Sequence, residues 1–232
     1  QAAFGENDSE LNHYKDTIKA GVVNKKKLVN TLVKNAKEAV VWLENLGVKF
    51  DKENGNYVLK KGAGMSHPRI LSCGDTTGNR IIEPLHKKVN YLNIPIFENL
   101  TVKDIKKNKN DLFICKAITN NKKVYEFSCK SIVLATGGDI EKEKKSGIVN
   151  QNDNYDGKQL SQKLGLVYKK QDLKQYHPLG VLDPTELKRS VIPESIRFDG
   201  ARLLNKNNKE FIKKNSLRGE VTKAIIKECK RG

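Results

Sequence analysis

The sequence predicts an α/β fold carrying antiparallel β insertions, and three stretches of the 232 residues carry that prediction. A β-branched apolar run, Ile132-Val133-Leu134, stops abruptly at Ala135-Thr136-Gly137-Gly138. A short continuous apolar run ended by small residues reads as a strand buried on both faces. A second stretch, from about residue 26 to 46, repeats apolar residues at three- and four-residue steps, as a helix with one buried face does. Between them lie three alternating segments joined by Lys-Asn turns, an antiparallel meander that delivers the chain into the buried strand. The small residues ending that strand admit close approach of a backbone or a flat ligand. A nucleotide cofactor edge and an ordinary tight turn both satisfy this pattern.

Taken in order, Gln1 to Gly5 is small and apolar and residues 6–10 read as a polar loop. Asp16 to Ala20 reads as a short helical turn stopped by Gly21. The long helix buries Leu28, Leu32, Val33, Ala36, Ala39, Val40, Leu43 and Leu46, with Trp42 packed beside them and Gly47 in the left-handed C-cap position. Val48 to Asp51 and Tyr57 to Leu59 form a hairpin about Glu53-Asn54-Gly55-Asn56. Residues 62–69 form a flexible loop with a polar centre, Ser66, His67 and Arg69, suited either to an anion or to solvent. A helix follows, N-capped by Asp75 or Thr77, running through Ile81, Ile82, Leu85 and Val89, with Pro84 near its first turn. Ile94 to Phe97 reads as a strand. The meander comprises Val102–Ile105, Leu112–Ile118 and Val124–Cys129. A charged loop, 139–154, leads to a helix opened by Asp156-Gly157, with Leu160 and Leu164 inward and Gly165 as stop. Leu166 to Tyr168 is a short strand, residues 201–212 a hairpin, and Arg218 to Cys229 an amphipathic helix.

Composition narrows the function classes. The net charge of +17 invites a nucleic-acid reading. Of the 44 basic residues only seven are Arg, and aromatics make up 6%. Phosphate and base readers favour Arg and single-strand binders interleave aromatics, so no nucleic-acid partner is expected. The charge instead suits attraction of small dianions. Cys73, Cys115, Cys129 and Cys229 form no C-x-x-C pair, which argues against a zinc site or redox dithiol and fits reduced thiols in a cytoplasmic protein. No apolar run approaches the length of a membrane span. The chain begins at Gln1 rather than Met, as a fragment or a processed product would, and the motif content below favours a fragment. Arg218 falls at a helix N-terminus, where the macrodipole disfavours a cation, and a local rule broken in this way hints at function.

Together the segments resemble one family, the flavoprotein subunits of succinate dehydrogenase and fumarate reductase, with L-aspartate oxidase nearest. The resemblance rests on Gln1-Ala2-Ala3, residues 14–21, residues 42–51, Ser66-His67-Pro68-Arg69-Ile70, Thr76-Thr77-Gly78, residues 134–138, Asp156-Gly157, His177-Pro178, Glu194-Ser195-Ile196-Arg197 and Arg218-Gly219-Glu220-Val221. It implies an FAD-binding Rossmann-like domain over residues 1–172 without its glycine-rich βαβ unit, and the start of a substrate-capping domain over 173–232. It also implies that Thr101, Val102, Ala135, Thr136, Gly137 and Asp156 contact FAD, that His177 and Glu194 lie in the dicarboxylate site, and that Arg218 transfers the proton. Implied partners are L-aspartate, fumarate or succinate, with oxygen or fumarate as electron acceptor. The implied activity is oxidation of L-aspartate to iminoaspartate for NAD biosynthesis; the alternatives are fumarate reduction or succinate oxidation, or an inactive basic binding module on the same scaffold. The pattern departs from the family at Leu179 (Thr there), Pro193 (Thr or Ser), Gly62 (Glu in aspartate oxidases) and Gly219 (Asp). The resemblance further implies that the isolated chain does not hold FAD tightly; micromolar binding by it would refute that.

Overall fold

The computed structural model of the chain describes residues 1–21, 23–137, 156–167, 177–188 and 190–231. They fall into two compact units: residues 1–95, 176–179 and 192–232, and residues 96–175 and 180–191.

The first unit begins with a helix longer than expected, α1 (Glu10–Ala20). Its start is Ser9, whose side chain accepts the Asn12 N–H, an N-cap embedded in a stretch whose polarity suggested a loop. Helix α2 (Lys26–Asn45) matches its expected bounds, and Gly47 has φ +103 just beyond it. The buried face differs from the expected one. Val29, Val33 and Val40 are buried, with Ala36 and Leu43 packed beside Val40, whereas Leu28, Leu32 and Ala39 face solvent and Trp42 is 54% exposed. Two apolar stripes lie about one residue apart in rotation on this helix, and periodicity alone does not say which one the core takes.

That core gathers Ala2, Val40, Val48, Phe50, Leu71 and Cys73, with Phe4, Tyr57, Leu59 and Ile81 against it. Val48 and Phe50 are buried, but the ladder of the hairpin is short: β1 (Lys52–Glu53) pairs with β2 (Asn56–Tyr57) around Asn54 and Gly55, both at positive φ. Helix α3 (Thr77–Tyr91) starts after Thr76, so neither expected residue is its N-cap. Thr77 Oγ1 instead accepts the Cys73 N–H, and Pro84 sits well inside the helix rather than in the first turn. Helix α5 (Ser195–Phe198) and helix α6 (Arg218–Cys229) complete the unit, with Val221 of α6 fully buried. Between them the expected hairpin is reduced to a bridge, Leu204 with Glu210.

The second unit is built on the expected meander. Strands β3 (Leu100–Lys107), β4 (Phe113–Thr119) and β5 (Val124–Cys129) pair antiparallel in that order, with a bulge between Val102 and Asp104. Ile105 and Ala117 are buried in it. Helix α4 (Asp156–Lys163) packs on β3, buries Leu160 and Ser161, and sends Lys163 to the Lys103 carbonyl at 3.2 Å. Two expected strands are absent among the described residues. Ile94–Phe97 pairs with no strand, and Ile132–Leu134 is neither paired nor buried, with Val133 88% exposed. A strand needs a neighbour to take its N–H and C=O groups, and none of the described strands lies beside these. Leu166 and Val167 are likewise exposed and lie in no strand ladder among the described residues, the Leu166 N–H going to the Ser161 carbonyl at 3.1 Å; the loop 139–154 and Tyr168 lie outside the described residues.

Candidate functional site

In the first unit the structure brings Glu194 and Arg218 together. Arg218 is the first residue of α6, and its Nε and Nη2 each lie 2.7 Å from Glu194 Oε2. The cation that the helix dipole disfavours therefore has a carboxylate in contact, and Glu220 adds a second negative charge in the same turn by accepting the Leu217 N–H at 2.7 Å. Glu194 is mostly buried and Arg218 partly exposed.

Behind this pair stands Arg197, which residue patterns did not single out as a site residue. Its guanidinium is 3% exposed; Nη2 approaches Glu194 Oε1 at 3.4 Å and donates to the Ser216 carbonyl at 3.2 Å, and Nη1 donates to the Lys214 carbonyl at 3.3 Å. Its Nε has no partner among the described residues. Glu194 thus bridges two guanidinium groups, one deep and one reaching solvent. The three-residue spacing of Glu194 and Arg197 on the α5 turn was the available signal.

His177 makes a local arrangement instead. Its Nδ1 lies 3.0 Å from the Leu179 carbonyl and 3.3 Å from the Leu179 nitrogen. Leu179 O accepts the N–H of Ile192 at 3.3 Å, which lays the His177 segment beside the one that carries Glu194.

A second cluster in this unit corrects the reading of the 62–69 loop. Arg69 is neither solvated nor free to take an anion. It is 1% exposed, with Nε 2.5 Å and Nη2 2.8 Å from the two Asp8 oxygens and Nη1 2.6 Å from Asp16 Oδ2. Ser66 gives both its N–H and its hydroxyl to the same Asp16 oxygen at 2.7 Å. Burial pushes both carboxyls up, but these donors outweigh it: Asp16 is brought down to about 2 and Asp8 is lowered too. Nearby His13, 3% exposed with Nδ1 unpartnered among the described residues, is lowered by burial and then by the Arg69 charge. Asp8 and Asp16 lie far from Arg69 in sequence, so nothing local marks them as its partners.

In the second unit, Thr101 and Val102 stand on β3 opposite Ile118 and Ala117, next to the bulge, and both are half-buried. Ala135, Thr136 and Gly137 are exposed, not the end of a buried strand, and Gly137 has φ +78. Thr136 meets the first turn of α4 closely: a Cβ on Gly157 would fall 1.9 Å from Thr136 Oγ1. The Asp156 side chain lies outside the described ones. Exposed small residues at 135–137 beside a helix start, where backbone N–H groups have no helical acceptor, fit a flat nucleotide cofactor with anionic and ribose oxygens. Among the described residues no cluster of His, Cys, Asp and Glu suits a metal, all four cysteines are free, and no helix is long and apolar enough to cross a membrane.

Each unit thus carries one of the two features, small residues at a helix start in the second and an arginine–carboxylate pair in the first, and comparison with known proteins identifies the class. The FAD binding domain family FAD_binding_2 matches residues 1–232. An L-aspartate oxidase of Clostridium acetobutylicum is 33% identical over 217 residues, covering 92% of this chain and 50% of that protein. A CoM/CoB-type fumarate reductase chain of Methanothermobacter marburgensis is 26% identical, covering 97% and 43%. Among solved structures, E. coli quinol fumarate reductase FrdA superposes with a TM-score of 0.86 at 20% identity, over all of this chain and 42% of that one. The chain belongs to the FAD_binding_2 family, whose cofactor is FAD. It spans about half the length of the curated relatives it matches.

Proposed function

We propose that the protein is an FAD-dependent oxidoreductase of C4 dicarboxylates, acting as an L-aspartate oxidase that converts L-aspartate to iminoaspartate for NAD biosynthesis in the cytoplasm, with oxygen or fumarate as electron acceptor. The observation that carries the reading is the Arg218–Glu194–Arg197 chain at the start of α6. L-aspartate oxidases among the relatives support the substrate. Residues 1–172 serve the cofactor and 173–232 begin the domain that covers the substrate.

Thr101, Val102, Ala135, Thr136, Gly137 and Asp156 would hold FAD, which would supply the two-electron acceptor for the substrate's hydride. Arg218 carries the accompanying proton. A guanidinium is a weak acid, so a proton cannot rest elsewhere for long; it must be passed on rapidly. Glu194, in contact with Arg218 on one side and Arg197 on the other, is placed to relay it. His177 and the guanidinium of Arg218 bind substrate carboxylates.

Fumarate reduction or succinate oxidation is the second reading. It is favoured by Gly62-Ala63-Gly64, which offers no carboxylate to a substrate ammonium, and by Glu194 being engaged by two arginines. Turnover of L-aspartate, succinate and fumarate by the flavin-loaded full-length protein tests both. Arg218→Ala is expected to abolish turnover with flavin retained; activity undiminished in that variant would refute the assignment.

A further inference from the structure

The loop from Lys60 to Ile70 does more than close on itself. Lys60 and Ile70 bridge antiparallel, Lys60 N–H to Ile70 O at 2.9 Å and Ile70 N–H to Lys60 O at 3.0 Å. Arg69 anchors it to Asp8 and Asp16, and Ser66 anchors it again to Asp16. Asp16 and Ala20 lie one turn apart on α1, on the same face. At Ala20 the loop makes its other contact. A Cβ built on Gly64 would lie 3.4 Å from Ala20 Cβ and 2.9 Å from Leu217 Cδ2, and Gly64 has φ +74. The loop backbone is therefore wedged between α1 and Leu217, with no room for a side chain. Leu217 is the N-cap of α6 and immediately precedes Arg218.

We infer that this loop, locked by Arg69, is a positioning device for Arg218: it fixes Leu217 from behind and so sets where the first turn of α6, and the guanidinium it carries, point. Leu217, Gly64 and Arg69 touch neither substrate nor cofactor in this account; they act through Arg218, and the inference rests on the proton-transfer reading of that residue. A buried guanidinium held by two carboxylates and a bridged loop is a stiff support, which is what a catalytic group needs when a displacement of about 1 Å costs up to about a hundredfold in rate.

The test uses the flavin-loaded full-length protein with Gly64→Ala, Leu217→Ala and Asp16→Asn, and Lys227→Ala in the exposed last turn of α6 as control. Two readouts are taken. Hydrogen exchange at the amides of Glu220 and Val221, which donate to the Leu217 carbonyl at 2.9 and 3.0 Å, is expected to quicken by roughly tenfold in the three variants and not in the control. Turnover is expected to fall by roughly tenfold in kcat with KM within about twofold and flavin content unchanged, the pattern of a mispositioned group rather than lost binding. Leu217→Ala matters most, because it leaves the Arg69 cluster intact and so separates positioning from folding. Unchanged exchange and kcat in Leu217→Ala and Gly64→Ala would overturn the inference. If the wild-type protein turns over no dicarboxylate, the functional reading fails by itself, and the exchange rates alone decide whether the loop holds α6.

Discussion

Replacing Glu194 by Gln probes the centre of the site with the least change of shape. In the wild-type chain one Glu194 oxygen takes Nε and Nη2 of Arg218 at 2.7 Å and the other faces Arg197 Nη2 at 3.4 Å. Gln keeps one acceptor and turns an NH2 group toward the other guanidinium, so donors oppose donors. Among the described residues Arg197, 3% exposed, then keeps the Lys214 and Ser216 carbonyls and the Phe198 ring against its charge. Breaking a buried ion pair from one side costs about 3–5 kcal/mol. The Arg218 half, 39% exposed, contributes at the screened end of the scale, under about 1 kcal/mol. A loss of about 3 kcal/mol is therefore expected, read as a lower melting temperature. If Glu194 also relays the proton, kcat falls by about a hundredfold or more while flavin stays bound. Thermal unfolding and steady-state kinetics on the same preparation give both numbers. A melting temperature within about 1 °C of wild type together with kcat within about twofold would refute the arrangement of charges and the relay together.

Three further outcomes are expected. Asp8→Asn strands half of the buried Arg69 pair and should lower stability by about 3–5 kcal/mol, read as a shift in urea midpoint. Asp16 carries a carboxyl at about 2 against an ordinary 3.8, a depressed folded-state value. Its contribution is full above 3.8 and is lost as pH falls toward 2, about 1–2 kcal/mol after screening, so Asp16→Asn should flatten acid unfolding in that window. Gly157→Ala drives a Cβ into Thr136 Oγ1 and should lower the flavin bound per chain, measured by absorbance; full flavin content would show that Thr136 and the α4 start do not form one surface.

Much of the fold is legible in the chain itself. The meander agrees to within a residue or two because Lys-Asn turns bracket alternating segments, and both signals are local. The bounds of α2 and α6 are legible for the same reason, since periodicity and Gly47 act over a few residues. Glu194 and Arg218 are marked by their segments, yet their contact joins residues 24 apart in sequence. Elsewhere the deciding interaction is with a partner far along the chain, as Asp8 and Asp16 are for Arg69. Ile132–Leu134 has the composition of a buried strand, and the strand needs neighbours for its backbone that the described residues do not provide.

The stretch from residue 135 to 137 and the loop from 62 to 69 show where the division falls. Sequence by itself determined that small residues follow an apolar run and that Ser66, His67 and Arg69 are grouped. Only the tertiary structure decided that Thr136 meets Gly157 and that Arg69 belongs to Asp8 and Asp16 rather than to an incoming anion. The reason is physical: propensity and periodicity depend on neighbours a few residues away, whereas a buried charge is settled by whichever countercharge the fold carries to within about 3 Å of it.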